Sequence, residues 1–117
     1  MKLIAKAPPI DTAAAVLRPE TAPETIIEIS HAVTAAGAVE ALPVLRDFLC
    51  MYRGEPFYDA DPAALIAVAG TLLALGGPGE RQLLLFVSEE PRTVEPLRRQ
   101  LQRALAAPPA RAAMAPP

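Results

Sequence analysis

Cys50 comes closest to a chemical signature in this chain. It is the single cysteine among 117 residues, with Arg46 four positions before it and Arg53 three after. On a helix those spacings bring both guanidinium groups beside the thiol, and two nearby cations favour the thiolate. A catalytic thiol also needs a base to activate it, and no general base stands next to Cys50 in the sequence. A partly buried cysteine at a helix edge is therefore the expectation, with a thiol-dependent sensor or enzyme as the minor alternative.

The other reactive residue types lead no further. His31 is the single histidine. It projects beside Glu28 on the polar side of its helix, and one imidazole without Cys or Asp partners at ligand spacing makes no metal site. Glu55, Asp59 and Asp61 form a small acidic group, but Asp61 is positioned to cap a helix and no calcium-loop pattern surrounds it. Gly76-Gly77-Pro78-Gly79 follows no strand and contains no lysine, so it reads as a turn and not a phosphate loop. From these residues we expect no catalytic group, no metal and no cofactor, and hence a protein that is not an enzyme.

Composition narrows the class. Apolar residues make up 52% of the chain but aromatics only 4%, so the apolar mass is mainly alanine and leucine, which favour helices over strands. The net charge of −2 provides no basic field for nucleic acid or an anionic membrane. One cysteine cannot form an internal disulfide, which leans towards a reducing compartment such as the cytoplasm. Met1 to Pro9 carries no apolar run long enough for a signal peptide. The uncharged run from Pro62 to Pro78 is short of the roughly 20 residues of a membrane span and is interrupted by glycines, so it reads as a buried helix.

The elements that must position any site follow from caps and periodicity. Residues 1–9 read as an extended arm, residues 10–107 as one helical domain, and 108–117 as a disordered Pro/Ala-rich tail. Asp11 caps a short leading helix over Thr12–Leu17, which Pro19 ends. Thr21-Ala22-Pro23-Glu24 forms a capping box for a helix to about Ala36, with Ile26, Ile29, Val33 and Ala36 on one face. Gly37 closes that helix in the left-handed conformation.

The next helix runs from about Val39 to Arg53, with Pro43 in its first turn and an apolar face of Leu42, Leu45, Phe48, Leu49 and Tyr52. Gly54–Ala60 is a long loop whose Phe57 and Tyr58 fold back over the edge of the core. Asp61-Pro62 starts a charge-free helix to Leu75, expected to be the most buried element, with close packing offsetting the cost of Gly70. A helix over Glu80–Glu90 turns Leu83, Leu84, Phe86 and Val87 inward. Thr93 caps the last helix, Val94 to about Ala106, which has a narrow stripe of Leu97, Leu101, Ala104 and Leu105 and an arginine-rich outer face.

Ala35-Ala36-Gly37 followed by Glu40-Ala41-Leu42-Pro43-Val44-Leu45 resembles the helical hairpin of HEAT repeats. Leu75-Gly76-Gly77 followed by Leu83-Leu84-Leu85-Phe86 is a looser copy about 40 residues on, a period typical of α-solenoids. The resemblance implies an all-α fold, a short α-solenoid of two antiparallel hairpins with a short leading helix and a capping terminal helix. It also implies a scaffold or adaptor that binds another protein or peptide, and it carries no catalytic residue with it. Two units are few for a solenoid, so an end piece of a longer array, or a homo-oligomer that covers the open end, follows as well. In such a stack the second helices of successive hairpins share a surface. That grouping makes Arg46, Asp47, Cys50, Arg53, Arg81, Gln82 and Glu89 the expected protein-binding residues.

Overall fold

In a computed structural model, which describes Leu17 and residues 21–106, the chain is helical and the described residues contain no strand. Six α-helices follow one another: α1 Pro23–Ala36, α2 Leu42–Tyr52, α3 Phe57–Ala60, α4 Ala63–Leu75, α5 Pro78–Glu89 and α6 Glu95–Ala106. A 3-10 turn, Val39–Ala41, precedes α2. The expected arm, the expected tail and all of the expected leading helix over Thr12–Leu17 except Leu17 lie outside the described residues, and Leu17 itself is not helical. No helix among the described residues is long and apolar enough to cross a membrane.

The charge-free helix is the centre of the packing, as its composition predicts. α4 packs against α1, α2, α3, α5 and α6. It buries Ala64, Leu65, Val68, Ala69, Thr71 and Leu72. Complete burial of Leu65, Val68 and Leu72 stabilises the fold by about 1.5–3 kcal/mol for each side chain. Around them close Ile26 and Val33 from α1, Leu45 and Leu49 from α2, Leu84 and Val87 from α5, and Leu97 and Leu101 from α6. Leu17 belongs to the same core.

The closest backbone approach of α1 is to α4, not to α2, the neighbour in sequence. Small side chains at the crossing explain it, because the distance between helix axes follows the size of the residues between them. Ser30 and Thr71 are both buried there. The Thr71 hydroxyl donates to the Ser30 carbonyl at 2.9 Å. The Thr34 hydroxyl lies at the same 2.9 Å from that carbonyl and 2.7 Å from the Thr71 hydroxyl, so the two hydroxyls and the carbonyl form one three-membered cluster across the crossing. The Ser30 hydroxyl is buried and has no hydrogen-bond partner among the described residues.

Several local expectations change. Thr21 makes no cap: Ala22 occupies the N-cap of α1, and its carbonyl accepts from Thr25 and Ile26. Pro43 falls at the α-helical start as expected, but the residues before it wind as a 3-10 turn. The loop after α2 contains a helical turn, α3. It sends Tyr58 fully into the core, edge-on to Phe48, while Phe57 stays half exposed. Pro62, not Asp61, takes the N-cap of α4, because the helix begins at Ala63; Asp61 stands one residue outside and accepts from the Ala63 amide at 3.4 Å. Thr93 turns its hydroxyl towards Arg53 of α2 and α6 begins two residues later.

The two glycines of α1 and α4 separate cleanly. Gly37 ends α1 at φ 64° with a Schellman pair of bonds, Gly37 N–H to the Thr34 carbonyl and Ala38 N–H to the Val33 carbonyl. Gly70 is exposed on α4, and a methyl added there would meet nothing within 4 Å. Close packing therefore does not account for Gly70. Gly37→Ala should lower the unfolding free energy by about 1–2 kcal/mol through the left-handed backbone alone. Gly70→Ala should raise it by about 0.5–1 kcal/mol. Urea denaturation of the two variants checks both, and a stability gain for Gly37→Ala would contradict the cap.

Candidate functional site

The residues around Cys50 are organised by two arginines that reach across to α5. Arg46 pairs with Glu80 at 3.2 Å. Two helical turns further on, Arg53 lies 3.9 Å from Glu90 and donates to the Thr93 hydroxyl at 3.3 Å. The Arg53 guanidinium also stacks over the Phe86 ring, 5.6 Å from its centre. Position 46 thus meets 80 and position 53 meets 86 and 90, so α2 and α5 advance in the same direction, bridged by two long arginine side chains.

The start of α5 sets the first of these contacts. Glu80 stands three residues after Gly77, the N-cap, and accepts from the Gly77 amide at 2.8 Å. This is the carboxylate half of a capping box, and glycine cannot supply the other half. The Gly77 amide, the amide of Glu80 itself and then Arg46 hold the Glu80 carboxyl below its ordinary value of 4.5.

The end of α2 is locked to the α5–α6 connection. The Val94 amide donates to the Arg53 carbonyl at 2.8 Å. A Cβ on Gly54 would come within 2.6 Å of the Arg92 carbonyl, so only glycine permits this approach. A shallow pocket of about 370 Å³ opens here, lined by Cys50, Met51, Arg53, Gly54 and Arg92. Cys50 itself is exposed, not partly buried.

The outward face of α5 differs from its expected form. Leu84 and Val87 are fully buried three residues apart and take the inward positions. Phe86 sits about 100° from Val87 around the helix, and is 52% exposed, with Leu85 at 48%. The inward role expected of Phe86 is therefore filled by its neighbours. Gln82 and Glu89 flank this apolar ridge and are exposed. On its other side lies α6, tied on by Gln102 donating to the Ser88 carbonyl at 3.0 Å.

Of the seven residues expected to share a surface, Arg46, Cys50 and Arg53 lie on the α2 flank that faces α5. Asp47 is exposed on α2 one position away. Gln82 and Glu89 border the Leu85–Phe86 ridge. Arg81 points elsewhere, donating to the Leu105 carbonyl at the end of α6. Sequence reasoning missed three contributors: Leu85, the outward turn of Phe86, and Arg92. The first two were open to detection, since α5 has more large apolar residues than one helix face can bury. Nothing in the sequence marked Arg92.

No cluster of three or more His, Cys, Asp or Glu side chains among the described residues is arranged to hold a metal. His31 is exposed and borders a separate apolar groove between α1 and α4, with Thr34, Ala35, Ala67, Gly70 and Thr71.

The Glu80 cap has a pH signature. A carboxyl whose folded value is lowered contributes stability that is fully present above its ordinary value and is lost as pH falls through the folded one. Glu80→Gln should therefore lower the melting temperature at pH 7, and the deficit should shrink below about pH 4.5. Arg46→Met should reproduce only part of the effect, because the Gly77 amide is the larger cause. Thermal unfolding followed from pH 7 to pH 3 measures all three proteins. A deficit that stayed constant over that range would exclude the Glu80 carboxylate as its source.

Compared with protein-family profiles, characterised proteins and solved structures, the chain matches none. A functional reading therefore rests on the geometry of the α2–α5 surface.

Proposed function

We propose that this chain is a non-catalytic protein-interaction module of the α-solenoid kind, with the α2–α5 surface as its binding face. The observation that carries the reading is the Leu85–Phe86 ridge. Two large apolar side chains, each about half exposed, stand together on one helix, with the Arg53 guanidinium stacked against one of them. An apolar centre with an aromatic and an arginine, surrounded by polar residues such as Gln82 and Glu89, has the composition of a docking patch. In a stack of repeated hairpins the second helices run parallel and adjacent. The same-direction course of α2 and α5, bridged by Arg46 and Arg53, supports the HEAT-like reading, with α2 and α5 as those second helices. On this reading the module serves as a scaffold or adaptor, or as the end piece of a longer array. Its one cysteine suits work in the cytoplasm.

Arg53 is a poor probe of this surface. Its side chain is only 18% exposed and is held by Glu90 and Thr93, so replacing it disturbs the fold as well as the face. The ridge is the better probe. The double variant Leu85→Ser/Phe86→Ser should fold, because neither side chain fills the core, with a stability change of about 0.5–1 kcal/mol including loss of the Arg53 stacking. Quantitative affinity capture from cell extract with wild type and variant should show specific partners depleted about tenfold or more by the change. An identical set of captured proteins would remove the ridge from the binding face.

A further inference from the structure

Arg92 is the cation that the fold leaves unused beside this surface. Arg46 is paired with Glu80 and Arg53 with Glu90, while the Arg92 side chain is exposed and makes no ion pair among the described residues. Glu90, the acidic group beside the Arg53–Arg92 pair, forms an ion pair with Arg53 at 3.9 Å and accepts from the Arg92 backbone amide at 3.2 Å. The charged side chains that line the pocket, Arg53 and Arg92, are both cations.

The pocket offers acceptors as well. In the last turn of α2 the carbonyls of Leu49, Tyr52 and Arg53 are taken by the amides of Arg53, Glu55 and Val94. Among the described residues the carbonyls of Cys50 and Met51 accept no hydrogen bond, which leaves them for an incoming N–H group. A bare anion would meet these carbonyls and the negative end of the α2 dipole, which oppose it. An extended peptide carrying a carboxylate brings both the charge for Arg92 and the N–H groups for the carbonyls.

Apolar contact is close at hand. Met51 is 70% exposed at the pocket rim. Arg53 lines the pocket and also stacks on Phe86, so pocket and ridge are continuous through one side chain. Resting on the interaction reading above, we propose that the Cys50–Gly54/Arg92 pocket docks an acidic, apolar-flanked peptide segment of a partner protein. Its carboxylate is held by Arg92 and its neighbouring apolar side chain lies against Met51 and Phe86.

The probe is an acetylated hexapeptide alternating glutamate and leucine, with a glutamine–leucine counterpart and inorganic phosphate as controls. These are titrated into the full chain labelled with nitrogen-15 and followed by amide shifts. The glutamate peptide should shift amides in residues 50–54 and 85–93, and the glutamine peptide should bind about tenfold more weakly. Arg92→Gln should bring the glutamate peptide down to the affinity of the glutamine one, while Phe86→Ser should weaken both.

Three results would overturn the proposal: no shifts in these two segments, an Arg92→Gln variant that binds as the wild type does, or phosphate shifting the same amides as strongly as the peptide. Equal binding of both peptides, lost in Phe86→Ser, would sink the carboxylate preference and leave the interaction reading standing. An Arg92-dependent preference with captured partners indifferent to the ridge would do the reverse.

Discussion

A helix without a charged side chain must bury most of its surface, and that constraint organises this molecule. α4 is covered by every other α-helix of the described chain. The covering is not uniform. Against α1 it presents Thr71, whose hydroxyl bonds the Ser30 carbonyl, and the two backbones come close because nothing large stands between them. α4 also buries Leu65, Val68 and Leu72 in the core that α2, α5 and α6 share. One polar residue in an otherwise apolar helix thus decides which neighbour lies nearest. The Thr71 bond is directional where leucine contacts are not, so it fixes the position of α1 along α4 as well as its distance.

The second organising contact lies at the surface. Arg53 ends α2, and its carbonyl and guanidinium together engage Val94, Thr93, Glu90 and Phe86. A single side chain at an exposed corner would be worth little as an ion pair, since solvent and side-chain entropy cancel most of the attraction. Here the guanidinium is largely withdrawn from water, and a backbone bond from the same residue holds the geometry. The connection between α5 and α6, which has no core of its own, is ordered by this residue and by the close approach of Gly54. Pocket and ridge both owe their placement to it.

The helices were legible because their signals are local. Gly37 at the end of α1, Pro43 at the start of α2 and Pro91 beyond α5 each act on the backbone within one turn, and the structure has helix boundaries close to all three. The burial of α4 was legible for the same reason, from the lack of any charged residue. Partners across space were not. Thr21 looks like a cap beside Glu24, yet Ala22 takes that position, while the working acidic cap at Glu80 sat behind a glycine that hides the pattern. Phe86 looked like core by residue type; only the competing claims of Leu84 and Val87 to the inward angle turn it out. In the candidate site, Cys50 drew notice by chemistry and proved to be an exposed neighbour. Arg92 gave no sign, because what distinguishes it is the absence of a partner, which emerges only once the other arginines are paired.

That absence follows from charge pairing and chain geometry together. The α2–α5 seam needs cations on α2 to answer Glu80 and Glu90 on α5 and its flank, and Arg46 and Arg53 meet that need. Their charge is thereby neutralised locally and contributes little to attracting anything else. Arg92 lies two residues past Glu90, in a connection whose backbone is pressed against Gly54, and the nearby carboxylate is already occupied by Arg53 and by Arg92's own amide. Its side chain has nowhere internal to turn. The same reasoning applies to Leu85 and Phe86, which are surplus to a helix face already filled by Leu84 and Val87. The exposed cation and the exposed apolar pair are what remain after the fold has met its own demands, and Arg53 joins them into one surface.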